Sequence, residues 1–144
     1  YTPAEAQINF EHDSWVHREG NQLRIPTIVD WSPKSSFQLE ERRFPLVLGH
    51  KRQWRWSLKI KVPDDYDLSH LPKDRKVGSE CLSIERGSKW DETQRTLHIN
   101  WTYLTLCERL SPQEYLTHRP LAREMLQLLN EEVVLGPQAL IEKQ

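Results

Sequence analysis

The stretch Trp54-Arg55-Trp56-Ser57-Leu58-Lys59-Ile60-Lys61-Val62 decides the fold. Trp54, Trp56, Leu58, Ile60 and Val62 hold the even positions, and Arg55, Ser57, Lys59 and Lys61 the odd ones. Successive side chains of a β-strand point to opposite faces. Unbroken alternation over this run therefore predicts a half-buried strand, with one side on a core and the other in water. Pro63-Asp64-Asp65 ends it, and a loop follows through Leu71-Pro72-Lys73-Asp74.

Beyond that strand the same period returns. Leu82 and Ile84 alternate with Cys81, Ser83 and Glu85, and a later run carries Leu97, Ile99, Trp101 and Tyr103. With Glu92-Thr93 as a two-residue loop, Ile84 faces Trp101 and Leu82 faces Tyr103, a hairpin with one apolar side. At Ser111 the period changes. Ser111-Pro112-Gln113-Glu114 reads as a capping box with Pro at the first helical position. Tyr115, Leu116, Leu121, Met125, Leu126, Leu128 and Leu129 continue it as a helical stripe. Pro120 is expected to break that stripe, because its ring clashes with a preceding carbonyl. Val133 to Leu135 reads as a short closing strand stopped by Gly136-Pro137.

Toward the N-terminus, Ile8, Phe10, Trp15, Leu23, Ile25, Ile28 and Val29 alternate loosely around the turn signal Glu19-Gly20-Asn21, which suggests an opening hairpin. Pro26 suits an edge or a bulge. Phe37 and Leu39 are expected on one strand face after a loop at 32–36. The expected fold is mainly β: an antiparallel β-sandwich with one short, Pro-interrupted helical segment near the C-terminus. A single domain is expected over residues 1–135, opening with a hairpin and loop at 1–42. Residues 136–144 are expected to be a tail or linker.

Composition narrows the function classes. With 144 residues the chain is long enough for one packed core, and 20 Lys and Arg against 21 Asp and Glu give a net charge of −1. Non-specific nucleic-acid binding needs a basic excess, so no nucleic-acid partner is expected. No apolar run reaches the roughly 20 residues that cross a bilayer. The opening YTPAEAQINF lacks the pattern of a secretory signal, and a start at Tyr rather than Met suggests an excised or processed piece.

No site motif emerges. Cys107 with His118 and either Asp74 or Asp91 is a formal candidate for cysteine catalysis. However, Cys107 sits beside Leu104 and Leu106, an apolar setting that raises a thiol pKa, so no catalytic residue is expected. In the register above, Cys81 and Cys107 point to opposite faces, so no disulfide is expected between them. The six histidines at 12, 17, 50, 70, 98 and 118 are scattered, and no Cys-x-x-Cys or His-x-x-x-His spacing offers a zinc site. Phosphate-cradling glycine loops and the Gly-x-Ser-x-Gly elbow are missing as well, so no cofactor and no metal are expected.

Two surfaces stand out. Lys51 and Arg52 lead into Arg55, Lys59 and Lys61, a candidate surface for an anionic ligand set against the ordinary use of Lys to keep a sheet edge solvated. Trp15, Trp31 and Trp90 lie near turns or strand ends and are candidate partner-binding anchors, set against plain core filling.

From Arg43 to Leu135 the order of motifs is distinctive: Arg43-Phe44-Pro45-Leu46, the alternating strand ending Val62-Pro63-Asp64-Asp65-Tyr66, then Leu71-Pro72, a hairpin, and Leu110-Ser111-Pro112-Gln113-Glu114-Tyr115. This order resembles the C-terminal β-sandwich of large bacterial exported proteins that carry an N-terminal domain of unknown function and a central transglutaminase-like domain. Members of that family usually have Gly before the tyrosine of the turn, whereas this chain has Asp65 before Tyr66. The resemblance implies a non-catalytic accessory domain whose partner is a neighbouring domain of the same chain or a cell-envelope protein. It also implies a location in the periplasm or at the cell surface. The alternative is a carbohydrate-binding β-sandwich module with a glycan partner. A linear row of exposed rings would favour the glycan, and a flat apolar patch the protein.

Overall fold

In the computed structural model, which describes residues 15–27 and 36–138, ten strands and one helix follow in order. They are β1 (His17–Glu19), β2 (Gln22–Pro26), β3 (Leu46–Val47), β4 (Arg52–Lys61), β5 (Tyr66–His70) and β6 (Arg75–Gly78), then β7 (Leu82–Asp91), β8 (Thr96–Thr105), β9 (Arg109–Leu110), α1 (Pro112–Leu129) and β10 (Glu132–Pro137). All pairings are antiparallel. One sheet runs β4-β8-β7-β6, a second β1-β2-β10-β5, and a short ribbon joins β3 to β9. The molecule is mainly β with one C-terminal helix, arranged like a sandwich.

The alternating stretch is β4, at an edge of the first sheet. Its even residues face the core only part-way: Trp56, Leu58 and Ile60 are half-buried and Trp54 is 52% exposed, whereas Val62, just past the strand, is 1% exposed. Arg55, Ser57, Lys59 and Lys61 face water. Edge placement explains the incomplete burial, since only β8 covers one flank.

The hairpin β7–β8 has the expected faces but another register. Ile84 pairs with Tyr103 and Leu82 with Thr105, two residues further along than a Glu92-Thr93 loop requires. The turn spans Glu92 to Arg95, and Arg95 takes a left-handed conformation at φ 48°. A slip of two preserves parity, so Leu82, Ile84, Trp101 and Tyr103 still share the buried side.

Helix α1 begins at the capping box: Glu114 N–H donates to Ser111 Oγ at 3.2 Å, and Ser111 N–H donates to Glu114 Oε2 at 2.7 Å. Pro120 does not interrupt it. The helix continues through that residue to Leu129. Pro120 is exposed, and tertiary packing of Tyr115, Ala122, Met125, Leu128 and Leu129 on both sides of it holds the helix together against the lost hydrogen bond. The segment is thus neither short nor broken.

Further corrections concern the flanks. Phe37 and Leu39 lie in turns rather than a strand, and Phe37 stacks on Tyr115 with centroids 5.5 Å apart. Gly136 and Pro137 do not stop the last strand: β10 runs through both, pairing with Asp67 and Tyr66. Of the expected opening hairpin, the part at 17–26 forms with Gly20 at φ 60° in its turn, and β2 joins the second sheet beside β10, while Ile8, Phe10, Ile28 and Val29 lie outside the described residues. Pro26 sits at the strand's last position, where no further ladder donor is needed. The core draws on both sheets and the helix. Ile25, Val133 and Leu135 come from the second sheet, and Leu97, Ile99 and Trp101 from the first.

Candidate functional site

Arg86 organises the joint between hairpin, helix and closing strand. It is 1% exposed on the inner face of β7, in register with Trp101. Its guanidinium donates to Lys73 O at 2.7 Å, to Leu128 O at 3.2 Å and to Glu131 Oε2 at 2.6 Å, and its Cζ stands 5.3 Å from the Trp101 ring centroid. Trp101 stacks in turn on Trp56 of β4, centroids 5.8 Å apart, and its Nε1–H donates to Thr27 O at 3.0 Å. Every bond of this set ends on the protein itself. A buried cation so enclosed serves the fold.

The disulfide is a correction: Cys81 and Cys107 are bonded, with Cα atoms 4.9 Å apart. The expectation failed because strand parity was carried past the end of the ladder. Cys81 lies just before β7 and Cys107 two residues after β8. The last link of the pair is Leu106 N–H to Cys81 O, at 2.8 Å, and the chain then leaves the sheet, so strand parity no longer fixes where Cys107 points. Both sulfurs are taken up in the bond.

His118 does not meet Cys107. Its Nε2 lies 3.0 Å from Ser79 Oγ and its Nδ1 2.8 Å from Glu114 O. A Ser–His contact suggests a nucleophile, but Ser79 Oγ also accepts from the N–H groups of Cys81 at 3.1 Å and Leu82 at 3.3 Å. That oxygen ties down the β6–β7 turn. Asp74 and Asp91 likewise accept from the backbone N–H groups of Ser88 and Gln94, at 2.7 and 2.9 Å, and hold turns rather than a base. Under the helix lies an apolar cavity of about 10 Å³ lined by Phe37, Leu82, Tyr103, Ala122, Met125 and Leu126, room for about one water. Among the described residues no group of three or more His, Cys, Asp or Glu is placed to hold a metal ion.

The tryptophan anchors divide. Trp15 and Trp90 are half-buried and packed against the core, and Trp31 lies outside the described residues. Among the described tryptophans Trp54 alone is largely exposed, so they form no linear row of exposed rings. Large exposed apolar side chains occur elsewhere: Phe44 at 78% and Val47 at 71%, with Leu39, Leu106 and Leu116 also in solvent. The β3–β9 pairing sets Val47 beside Arg109, and Leu48 N–H donates to Glu108 O at 2.8 Å. Val47 lies in this ribbon, and Phe44 stands in the bend two residues before it.

The basic set divides too. Arg55, Lys59 and Lys61 share the outer face of the first sheet, and Lys51 is exposed just before β4. Arg52 belongs to the opposite face by parity; there, burial raises the Tyr103 phenol pKa, and the Thr105 side chain and the Arg52 charge oppose that rise. Register adds two residues that sequence reading missed: Lys59 pairs with His98, and His98 with Lys89, so three strands set basic groups in one row. They are far apart in sequence, and only the correct hairpin register brings them together.

Among the described residues, no helix is long and apolar enough to cross a membrane. The family model described as "Domain of Unknown Function with solved-structure structure (DUF3858)" matches residues 21–135. Among solved structures, the chain is similar to the crystal structure of "a putative protease from Parabacteroides distasonis", with a TM-score of 0.62 and 13% identity. The match covers 76% of this chain and 22% of that one, so the chain spans about a fifth of that protein's length. At that identity the likeness is one of fold. No curated protein matches the sequence.

Proposed function

Because the chain belongs to the DUF3858 family of domains of unknown function, we propose that it is a non-catalytic accessory domain that packs on a transglutaminase-like neighbour in a longer chain, or on a cell-envelope protein. The observation that carries this reading is the exposure of Phe44 and Val47, at 78% and 71%. Large apolar side chains left in water only three residues apart along the chain are a usual mark of a contact surface. The polar groups that sequence reading offered for catalysis are instead engaged in turns, caps and a disulfide. That disulfide also supports a location outside the cytoplasm, since such bonds persist in oxidising compartments.

The test mixes the domain with the catalytic domain encoded beside it and, separately, with an envelope extract, and reads complex formation by size-exclusion chromatography and chemical crosslinking. Wild-type protein is expected to form a complex that the Phe44→Ser/Val47→Ser variant loses while keeping its melting temperature. No association in either mixture, or equal association by the variant, would overturn the proposal.

A further inference from the structure

The outer face of the β4-β8-β7-β6 sheet carries an ordered pattern. Across one row lie Lys59, His98 and Lys89, on three adjacent strands. Neighbouring strands are about 4.8 Å apart, so this row spans roughly 10 Å. The next row holds Ser57, Asn100 and Gly87, with Ser57 Oγ–H donating to Asn100 Oδ1 at 2.8 Å. A Cβ built on Gly87 would meet nothing within 4 Å, so this row is an open trough floored by a hydroxyl, an amide and bare backbone. Arg55 borders the trough on its far side and Lys61 extends the basic edge of β4. Among the described residues, the side chains of Lys59, Lys61, Lys89 and His98 have no ion-pair or hydrogen-bond partner. Of the two acids on this face, Glu85, across from Arg55, is paired with Lys76 at 3.8 Å, and Asp91, at the far end of the Lys61 row, accepts from Gln94 N–H at 2.9 Å.

We propose that this face binds an anionic polysaccharide, its carboxylate or sulfate groups on the Lys59–His98–Lys89 row and its ring hydroxyls over Ser57, Asn100 and Gly87. The charge is complementary to a polyanion, and the choice of polyanion rests on what else the face offers. Trp54, Trp56 and Trp90 all point to the other side by parity, so no ring on this face stacks a base, which disfavours a single-stranded nucleic acid. Apart from Leu104 the outward positions are polar or glycine, unlike the apolar centre of a protein interface. A hydroxyl-rich anionic chain suits both the cations and the polar trough, held by charge and hydrogen bonds and not by the stacked rings that a neutral glycan would need. This surface uses other residues than Phe44 and Val47, and the proposal stands without that contact.

The test titrates the domain with polygalacturonate (carboxylate) and heparin (sulfate), beside neutral dextran, oligo(dT) and poly-glutamate, at fixed low salt. Amide chemical shifts are followed by NMR. Saturable binding to at least one of the two anionic glycans is expected, with shifts grouped on Lys59, Gly87, Lys89, His98 and Asn100. The Lys59→Glu/Lys89→Glu variant is expected to bind about tenfold more weakly, and Arg43→Glu/Arg123→Glu, with the same change in net charge elsewhere, less than about twofold. The shift map on wild type decides the matter even if the charge-reversed variant folds poorly. No glycan binding, shifts elsewhere, equal loss in the two variants, or oligo(dT) or poly-glutamate bound as tightly as the glycans would each overturn the proposal.

Discussion

Arg86 lies across the face of Trp101 at 5.3 Å while its other edge reaches Glu131 at 2.6 Å, so one buried cation joins the β7–β8 hairpin to the end of helix α1. The partners are unequal: the Arg86 side chain is 1% exposed and that of Glu131 36%. Removing Glu131 lets water approach the guanidinium, and Glu131→Gln is expected to cost about 1–2 kcal/mol after discounting for that exposure. Arg86→Ala removes the ring contact, strands Lys73 O and leaves a cavity, for about 3–5 kcal/mol. Urea denaturation of both variants checks the order, and an Arg86→Ala variant as stable as Glu131→Gln would contradict it.

The Cys81–Cys107 bond closes a loop of 26 residues. On chain-entropy grounds it contributes about 3–4 kcal/mol. The Cys81→Ser/Cys107→Ser variant, or wild type in reductant, is expected to melt well below the oxidised protein. Alkylation of unfolded, unreduced protein followed by mass spectrometry is expected to find no free thiol.

Gly78 closes the β6–β7 turn against Ser83. A Cβ there would stand 2.6 Å from Ser83 Cα and 2.8 Å from Leu82 O, both backbone atoms that cannot swing aside. Gly78→Ala is therefore expected to destabilise by about 1–3 kcal/mol. Gly87→Ala, in open space on the same sheet, is expected to be neutral or to gain up to about 1 kcal/mol. Thermal melts of the two variants separate a steric from a merely local effect.

Glu114 is held below the ordinary glutamate pKa, chiefly by the Ser111 backbone N–H, with the Ser111 side chain and His118 adding to it. A carboxylate whose folded pKa is depressed adds stability above its unfolded pKa, near 4.3, and that stability fades as pH falls through the folded value. Glu114→Gln is thus expected to be less stable than wild type at pH 7, with the gap closing below pH 4. Melting temperatures across that range give the reading. A gap that widens in acid would refute it.

Where local chemistry decides, the fold is legible in the residues. The alternation of 54–62, the turn at Gly20 and the capping box at Ser111 each act within a few positions, and each element forms where those signals stand. Errors arise where distant parts compete. A two-residue turn at Glu92-Thr93 and the observed four-residue turn keep the same faces buried, so side-chain pattern alone does not choose between them. Pro120 is tolerated because residues far along the chain pack the helix on either side of it. The disulfide depends on where β8 leaves its ladder, which no alternation encodes. The basic surface is half legible for the same reason: Arg55, Lys59 and Lys61 share one strand, whereas Lys89 and His98 join them only through pairing.

The Trp56–Trp101 stack, with its rings inclined by 17°, has an optical consequence. Two indoles so close couple their electronic transitions, and an exciton band in circular dichroism arises from the twist between their transition moments in the stack. Because one ring belongs to the edge strand and the other to its inner neighbour, that signature reports whether β4 remains docked, without any added dye.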